Sequence, residues 1–278
     1  MSRRKVSKMK RNILKHRAFT LLELLVVIAI VAVLASLVLG NVARAKLAAH
    51  RVTCMSHLKQ WVTASLIYAH DNDDKLPREA GVDGINSWET TAASTNGNVW
   101  YNALAETAGV SKMADYAQTP SSQHDFYSNG KIFHCPRARF SDAAATYPNF
   151  SLAMNSKLMR DFESAPIGDP YVSAPRFGEV CRLSNIKDPA RTVLFADSGV
   201  RDEPKLCAAQ QDYTGQPKTS ATQFPGRHNG GGNIAFAAGH VQTVRGKDVV
   251  EMEPGPHHGK AIHPPREIVW CPDPAMVP

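Results

Sequence analysis

Residues 1–18 contain no acidic side chain, although eight Lys and Arg stand there. That gap localises the formal charge of +7, because residues 19–278 hold 24 bases against 25 acids. A body without excess positive charge releases no counterions from a polyanion, so nucleic acid is excluded as a partner. The five cysteines, Cys54, Cys135, Cys181, Cys207 and Cys271, form no Cys-x-x-Cys pair. That argues against a zinc ribbon or a thioredoxin-like site. There is no Gly-x-Ser-x-Gly elbow for a nucleophilic serine. Gly230-Gly231-Gly232 has neither the Lys-Ser/Thr nor the following helix of a phosphate loop. The acidic run Asp71-Asn72-Asp73-Asp74 lacks the glycine turn and distal Glu of a calcium loop and reads as a solvated turn. His257, His258 and His263 lie among prolines without a carboxylate at fixed spacing, as in an exposed Pro-rich tail. The expectation is a chain with no catalytic residues, no metal and no cofactor.

What the sequence does have is one long apolar run. Residues 19–39 read FTLLELLVVIAIVAVLASLVL, with Glu23 as the sole charge. As a helix this run spans about 31 Å, close to the roughly 30 Å of a bilayer's hydrocarbon. The basic flank before it sets the N-terminus on the cytoplasmic side and sends the body outward. Three readings compete for the run. A cleaved signal peptide has a shorter apolar stretch, although Ala43-Arg44-Ala45 offers it a cleavage site. A plain signal anchor fits the length but gives no reason for Glu23, since an acid in lipid costs about 2.5–3.5 kcal/mol at the bilayer centre. A third reading gives that acid a partner.

Beyond Gly40, Leu47, Cys54, Leu58, Trp61, Val62, Ser65 and Ala69 recur at three- and four-residue steps, which predicts one helix continuing to about His70. Its apolar stripe would dock a head, and Pro77 bars its continuation. Loops rich in Gly, Ser, Asn and Thr follow to about Pro136, with a short helix expected over 100–108. Strands are expected over 131–135, 192–196 and 268–270, and a hairpin over 233–237 and 240–244 around Ala238-Gly239. The class is α+β, a long N-terminal helix on a loop-rich head with a small antiparallel sheet. The chain divides into a basic leader (1–18), a transmembrane and assembly helix (19–40), its continuation (41–75), a head (76–250) and a Pro-rich tail (251–278).

The stretch Arg17-Ala18-Phe19-Thr20-Leu21-Leu22-Glu23-Leu24-Leu25 resembles the processing site of type IV prepilins and type II secretion pseudopilins. The resemblance implies cleavage between Ala18 and Phe19 by a prepilin peptidase and N-methylation of Phe19. It also implies an assembly role for Glu23, pairing with the terminal amine of a neighbouring subunit. Within a bundle of apolar helices, each of those two charges needs the other. Ala18 stands where the family has Gly. The head also resembles a group of bacterial pilin-like proteins whose C-terminal motif is a His, nine residues, then Asp-Gly. Here His228 and Gly239 fit, with Ala238 in place of the Asp. That resemblance gives His228 and Gly239 a structural turn role and pairs Cys54 with Cys135 as a disulfide, against the alternative of two buried free thiols; Cys181 with Cys207 is a second pairing.

The implied function is a structural subunit of a type IV pilus or a type II secretion pseudopilus. It would be single-pass in the inner membrane with its head extracytoplasmic, or assembled into a filament. Its partners would be the prepilin peptidase, an inner-membrane assembly platform, membrane lipid, and copies of itself or other pilin-like subunits. The alternative is a membrane-anchored extracytoplasmic binding or enzymatic domain that does not polymerise.

Overall fold

The computed structural model describes residues 19–79, 87–128, 131–140, 147–158, 181–207, 210, 212–252, 262–263, 267–270 and 272. The chain divides into two compact units, Met1–Lys46 and Leu47–Pro278. One element, helix α1 (Leu21–Asp71, 51 residues), runs through both. No proline falls within it, and Gly40 does not interrupt it. Every described side chain from 19 to 37 is exposed, with Phe19 at 74% and Leu21 at 81%. The helix ends where Asp73 and Asp74 adopt positive φ of 53° and 68°. The Asp74 amide then donates to Ala69 O at 2.8 Å, satisfying one of the last free carbonyls.

In the second unit the stripe of α1 is buried at Cys54, Leu58, Trp61, Val62, Ser65 and Ala69, whereas Leu47, at its start, is 37% exposed. Trp61 is the centre of this contact. Its ring lies 4.8 Å from Trp100, 5.0 Å from Phe133 and 6.4 Å from Phe195, and its indole N–H donates to Ile132 O at 2.7 Å. Short helices α2 (Trp88–Ala92), α3 (Trp100–Ala103), α4 (Met113–Tyr116) and α5 (Pro120–Phe126) carry Trp88, Trp100, Tyr101, Tyr116 and Phe126 of this core.

The sheet has five strands: β1 (Leu152–Asn155), β2 (Val193–Asp197), β3 (Lys218–Thr219), β4 (Gly231–Phe236) and β5 (Val241–Arg245). Their order is β3-β1-β2-β4-β5. All neighbours are antiparallel except β1 and β3, which are parallel, so the sheet is mixed and mostly antiparallel. A separate ladder joins β6 (Glu251–Met252) to β7 (Ile262–His263). Residues of β4 alternate between two cores: Ala235 joins the one containing α1, while Ile234 and Phe236 join a second with Phe224 and Trp270. On β2 a register shift between Val193 and Phe195 places both Leu194 and Phe195 in the first core.

Three expectations fail here. Residues 131–135 form turns and no strand, because their carbonyls serve other partners: Ile132 O takes the Trp61 indole, Phe133 O the Leu152 amide and His134 O the His57 ring. The helix expected over 100–108 closes at Ala103 and passes into turns that end at Gly109, whose φ is +69°. At 268–270 there is a single bridge, Thr192 to Val269, and no strand; Ile268, Val269 and Trp270 are nonetheless buried.

Trp61→Ala is expected to destabilise the head by about 3–5 kcal/mol, and Ile67→Ala, at an exposed position of the same helix, by about 0.5 kcal/mol or less. Denaturant titration of the detergent-solubilised chain, followed by near-UV circular dichroism, measures both; equal effects would contradict this account of the core.

Candidate functional site

Two places carry chemistry, one in each unit. At the start of α1, the Glu23 carboxylate accepts from the Thr20 amide at 2.9 Å and from the Thr20 hydroxyl at 2.8 Å. The Glu23 amide in turn donates to Thr20 Oγ1 at 3.2 Å. This reciprocal arrangement is a capping box: Thr-x-x-Glu satisfies two of the amides that a helix start leaves without partners. Glu23 therefore has a local hydrogen-bonding partner in Thr20, and the Thr-x-x-Glu signature of that partnership is plain in the sequence. Both Oε2 contacts come from uncharged donors, so the box does not neutralise the carboxylate. Phe19 is exposed immediately before Thr20; Ala18 and the rest of the leader lie outside the described residues.

The head site gathers residues from four segments. Cys54 comes from α1, Cys135 from the turns after α5, Asp197 from the end of β2 and His228 from the turn leading into β4. The Cys54 thiol donates to Asp197 Oδ1 at 3.0 Å. Cys135 Sγ lies 3.4 Å from His228 Nε2, and Asp197 Oδ2 lies 3.6 Å from the same nitrogen. Cys54 and Cys135 are free thiols whose sulfurs lie within 4.8 Å of each other, and Cys181 and Cys207 are free as well. One donor atom from each of the four residues falls within 4.8 Å of the other three, and all four residues are buried. They are the described residues placed to hold a metal.

A second ring of groups fixes the first. Asp197 Oδ2 accepts from the Asn233 amide at 2.7 Å and from its side chain at 3.2 Å, and Asn233 is held by the Thr243 hydroxyl at 2.7 Å. Arg227 Nη1 approaches Asp197 Oδ1 to 3.9 Å. The same guanidinium donates to Ser151 O, to Ser198 O and twice to Glu203. Burial, together with the negative charge of Cys135, pushes the Asp197 carboxyl up to about 6. The Cys135 thiol goes the other way, held well below its usual range first by the adjacent Cys54 and then by His228 and Arg227. Asp197, Arg227, Glu203 and Asn233 were not singled out in the sequence for this role.

The His228 ring faces this cluster. Its backbone braces the turn before β4, with the amide donating to Gly231 O at 2.8 Å and the carbonyl accepting from Gly231 N at 3.3 Å. Gly239, in the β4–β5 turn, has φ +92°, a value a side chain would strain. Its amide donates to Phe236 O at 2.8 Å, and its carbonyl takes Lys59 Nζ of α1 at 2.6 Å. The Ala238 amide donates to Pro189 O at 2.8 Å, so a backbone bond holds the position where the resembled motif has an Asp.

With these features in place, comparison with known proteins gives one result. Residues 13–39 match the model of the prokaryotic N-terminal methylation motif. Together with the long apolar N-terminal helix, long enough to cross a membrane, this fits a type IV pilin-like protein, for which the motif implies processing by a prepilin peptidase and assembly with pilin-like subunits. No curated protein and no solved structure matches the chain.

Next to Cys135, His134 is buried between Phe126, Tyr127 and Phe140 and donates from Nε2 to Asn149 O at 2.9 Å. Burial pulls its pKa from 6.5 down to about 3, so the folded chain holds it neutral. The unfolded chain binds the extra proton below 6.5, and the His134 contribution is full above that pH and lost as the pH falls towards 3. Asp197 acts in the opposite sense, so the two must be separated by difference. The stability gap between wild type and His134→Gln is expected to narrow below pH 6.5, by up to about 1.4 kcal/mol per pH unit. Denaturant midpoints across pH 7 to 4 measure it, and a gap independent of pH contradicts it.

Proposed function

We propose that the chain is a structural subunit of a filament of the type IV pilus or type II secretion pseudopilus kind. A prepilin peptidase cuts between Ala18 and Phe19, the Phe19 amine is methylated, and the helix is stored in the inner membrane with the head outside. An assembly platform then draws it into a polymer with copies of itself or related subunits. In this reading the chain has no catalytic activity of its own.

The observation that carries the proposal is Glu23, five residues into the mature chain and surrounded by exposed apolar side chains. Its capping bonds to Thr20 leave it charged, and a charge taken into a helix bundle requires an opposite one. The new Phe19 amine of a neighbouring subunit supplies it. Capping and pairing make different demands, because a glutamine retains the capping box while removing the charge.

Glu23→Gln is therefore expected to leave the helix and membrane insertion intact yet to enter filaments about as poorly as Glu23→Ala. Sheared-filament yield against membrane-extracted monomer reads the outcome. If Glu23→Gln assembles like the native chain while Glu23→Ala does not, Glu23 serves as a cap and the pairing is wrong. If both variants assemble like the native chain, neither the charge nor the cap of Glu23 is needed and the pairing is again wrong; if the native chain itself enters no filament, the chain is an anchored head.

A further inference from the structure

The expectation of no metal rested on spacing along the chain, and the fold changes that spacing. Cys54, Cys135, Asp197 and His228 bring two sulfurs, a carboxylate oxygen and an imidazole nitrogen within 4.8 Å of one another. A tetrahedral zinc ion, with bonds of about 2.3 Å to sulfur and about 2.0–2.2 Å to nitrogen or oxygen, separates its ligand atoms by about 3.4–3.8 Å. The approaches of 3.4 Å from Cys135 to His228 and 3.6 Å from Asp197 to His228 lie in that range. Cys54 Sγ lies 3.0 Å from the other carboxylate oxygen, Asp197 Oδ1, and moves outward by about half an ångström to reach such a spacing.

The arrangement does not suit the other uses of these residue types. In a nucleophilic triad the acid holds one imidazole nitrogen and the thiol the other. Here both approach Nε2, and the buried His228 Nδ1 has no partner among the described residues. The side chains of His228 and Asp197 are 2% and 0% exposed, so no substrate reaches them. A disulfide would join the two sulfurs but would give no role to a histidine and a carboxylate aimed at the same point. The surrounding groups, in contrast, are those of a metal centre: Asn233 orients the carboxylate, itself held by Thr243, and Ser151 Oγ accepts the Cys135 amide at 2.7 Å.

We infer that Cys54, Cys135, Asp197 and His228 form a closed structural site for one zinc ion, which ties α1 to the sheet and to the turns around it. As the two sulfurs bind, each thiol releases its proton to solvent, leaving three anionic ligands and a neutral imidazole around a dication. The residual negative charge faces Arg227, 3.9 Å from Asp197 and shared with Glu203. Zinc is favoured over harder cations by the two sulfurs, and a closed four-ligand shell is that of a structural rather than a catalytic site.

The test uses the full chain, extracted from membranes in detergent without chelator or reductant. The site predicts about one zinc per chain by elemental analysis, and all five cysteines titratable as thiols after denaturation in chelator. Replacing the metal with cobalt(II) should give the strong visible bands of a tetrahedral thiolate site. Asn233→Ala, which keeps all four ligands, should weaken zinc binding about 10–100-fold, and Cys54→Ser should weaken it further. No zinc with three titratable thiols would replace the site by a disulfide. No zinc with five thiols would leave a polar network alone. Either result overturns the inference.

Discussion

An apolar helical surface exposed along its whole length cannot stay in water, and the first half of α1 presents such a surface. From Phe19 to Leu37 every described side chain is exposed, and the apolar ones, Phe, Leu, Val, Ile and Ala, lie on every face of the helix. A soluble amphipathic helix would carry a polar stripe; this one has none, so its cover comes from outside the chain. In the proposed function lipid supplies that cover first. In the proposed filament, the same segment of other subunits supplies it afterwards. The single carboxylate near its start matters because apolar cover of either kind leaves a charge without water.

The second half of the same helix obeys the opposite rule. From Cys54 to Ala69 it buries one stripe against Trp100, Phe133 and Phe195, with Trp61 at the centre. Polar ties then fix its register: the Trp61 indole to Ile132 O, His57 to His134 O and Lys59 to Gly239 O. These bonds reach loops rather than strands, which is why residues 131–140 are well placed without regular structure. The cluster around Cys54 adds a fourth tie, from α1 to the ends of β2 and the turn before β4.

The parts legible in the sequence are those set by local pattern. The apolar run, the three- and four-residue stripe beyond Gly40, the apolar β2 and the β4–β5 hairpin around Gly239 all announce themselves within a dozen residues. β1 and β3 do not, because Leu152–Asn155 and Lys218–Thr219 are short and become strands only through the partners they meet. Their parallel pairing makes the sheet mixed, and nothing local encodes it. The cluster in the head is the clearest case of information absent from spacing. Its four residues run from 54 to 228, and only the packing of α1 against the sheet brings them together. Thr20 and Glu23 are different: their capping box is written in four consecutive residues, where the charge of Glu23 in an apolar run is the more conspicuous signal.

In the proposed filament the chain is made behind a basic leader and functions with Phe19 as its first residue. Mass spectrometry of the N-terminal peptide from membrane-extracted protein tests it most directly. A methylated peptide starting at Phe19 is the predicted result. A peptide starting at Met1, or at Lys46 after loss of the apolar segment, would contradict it.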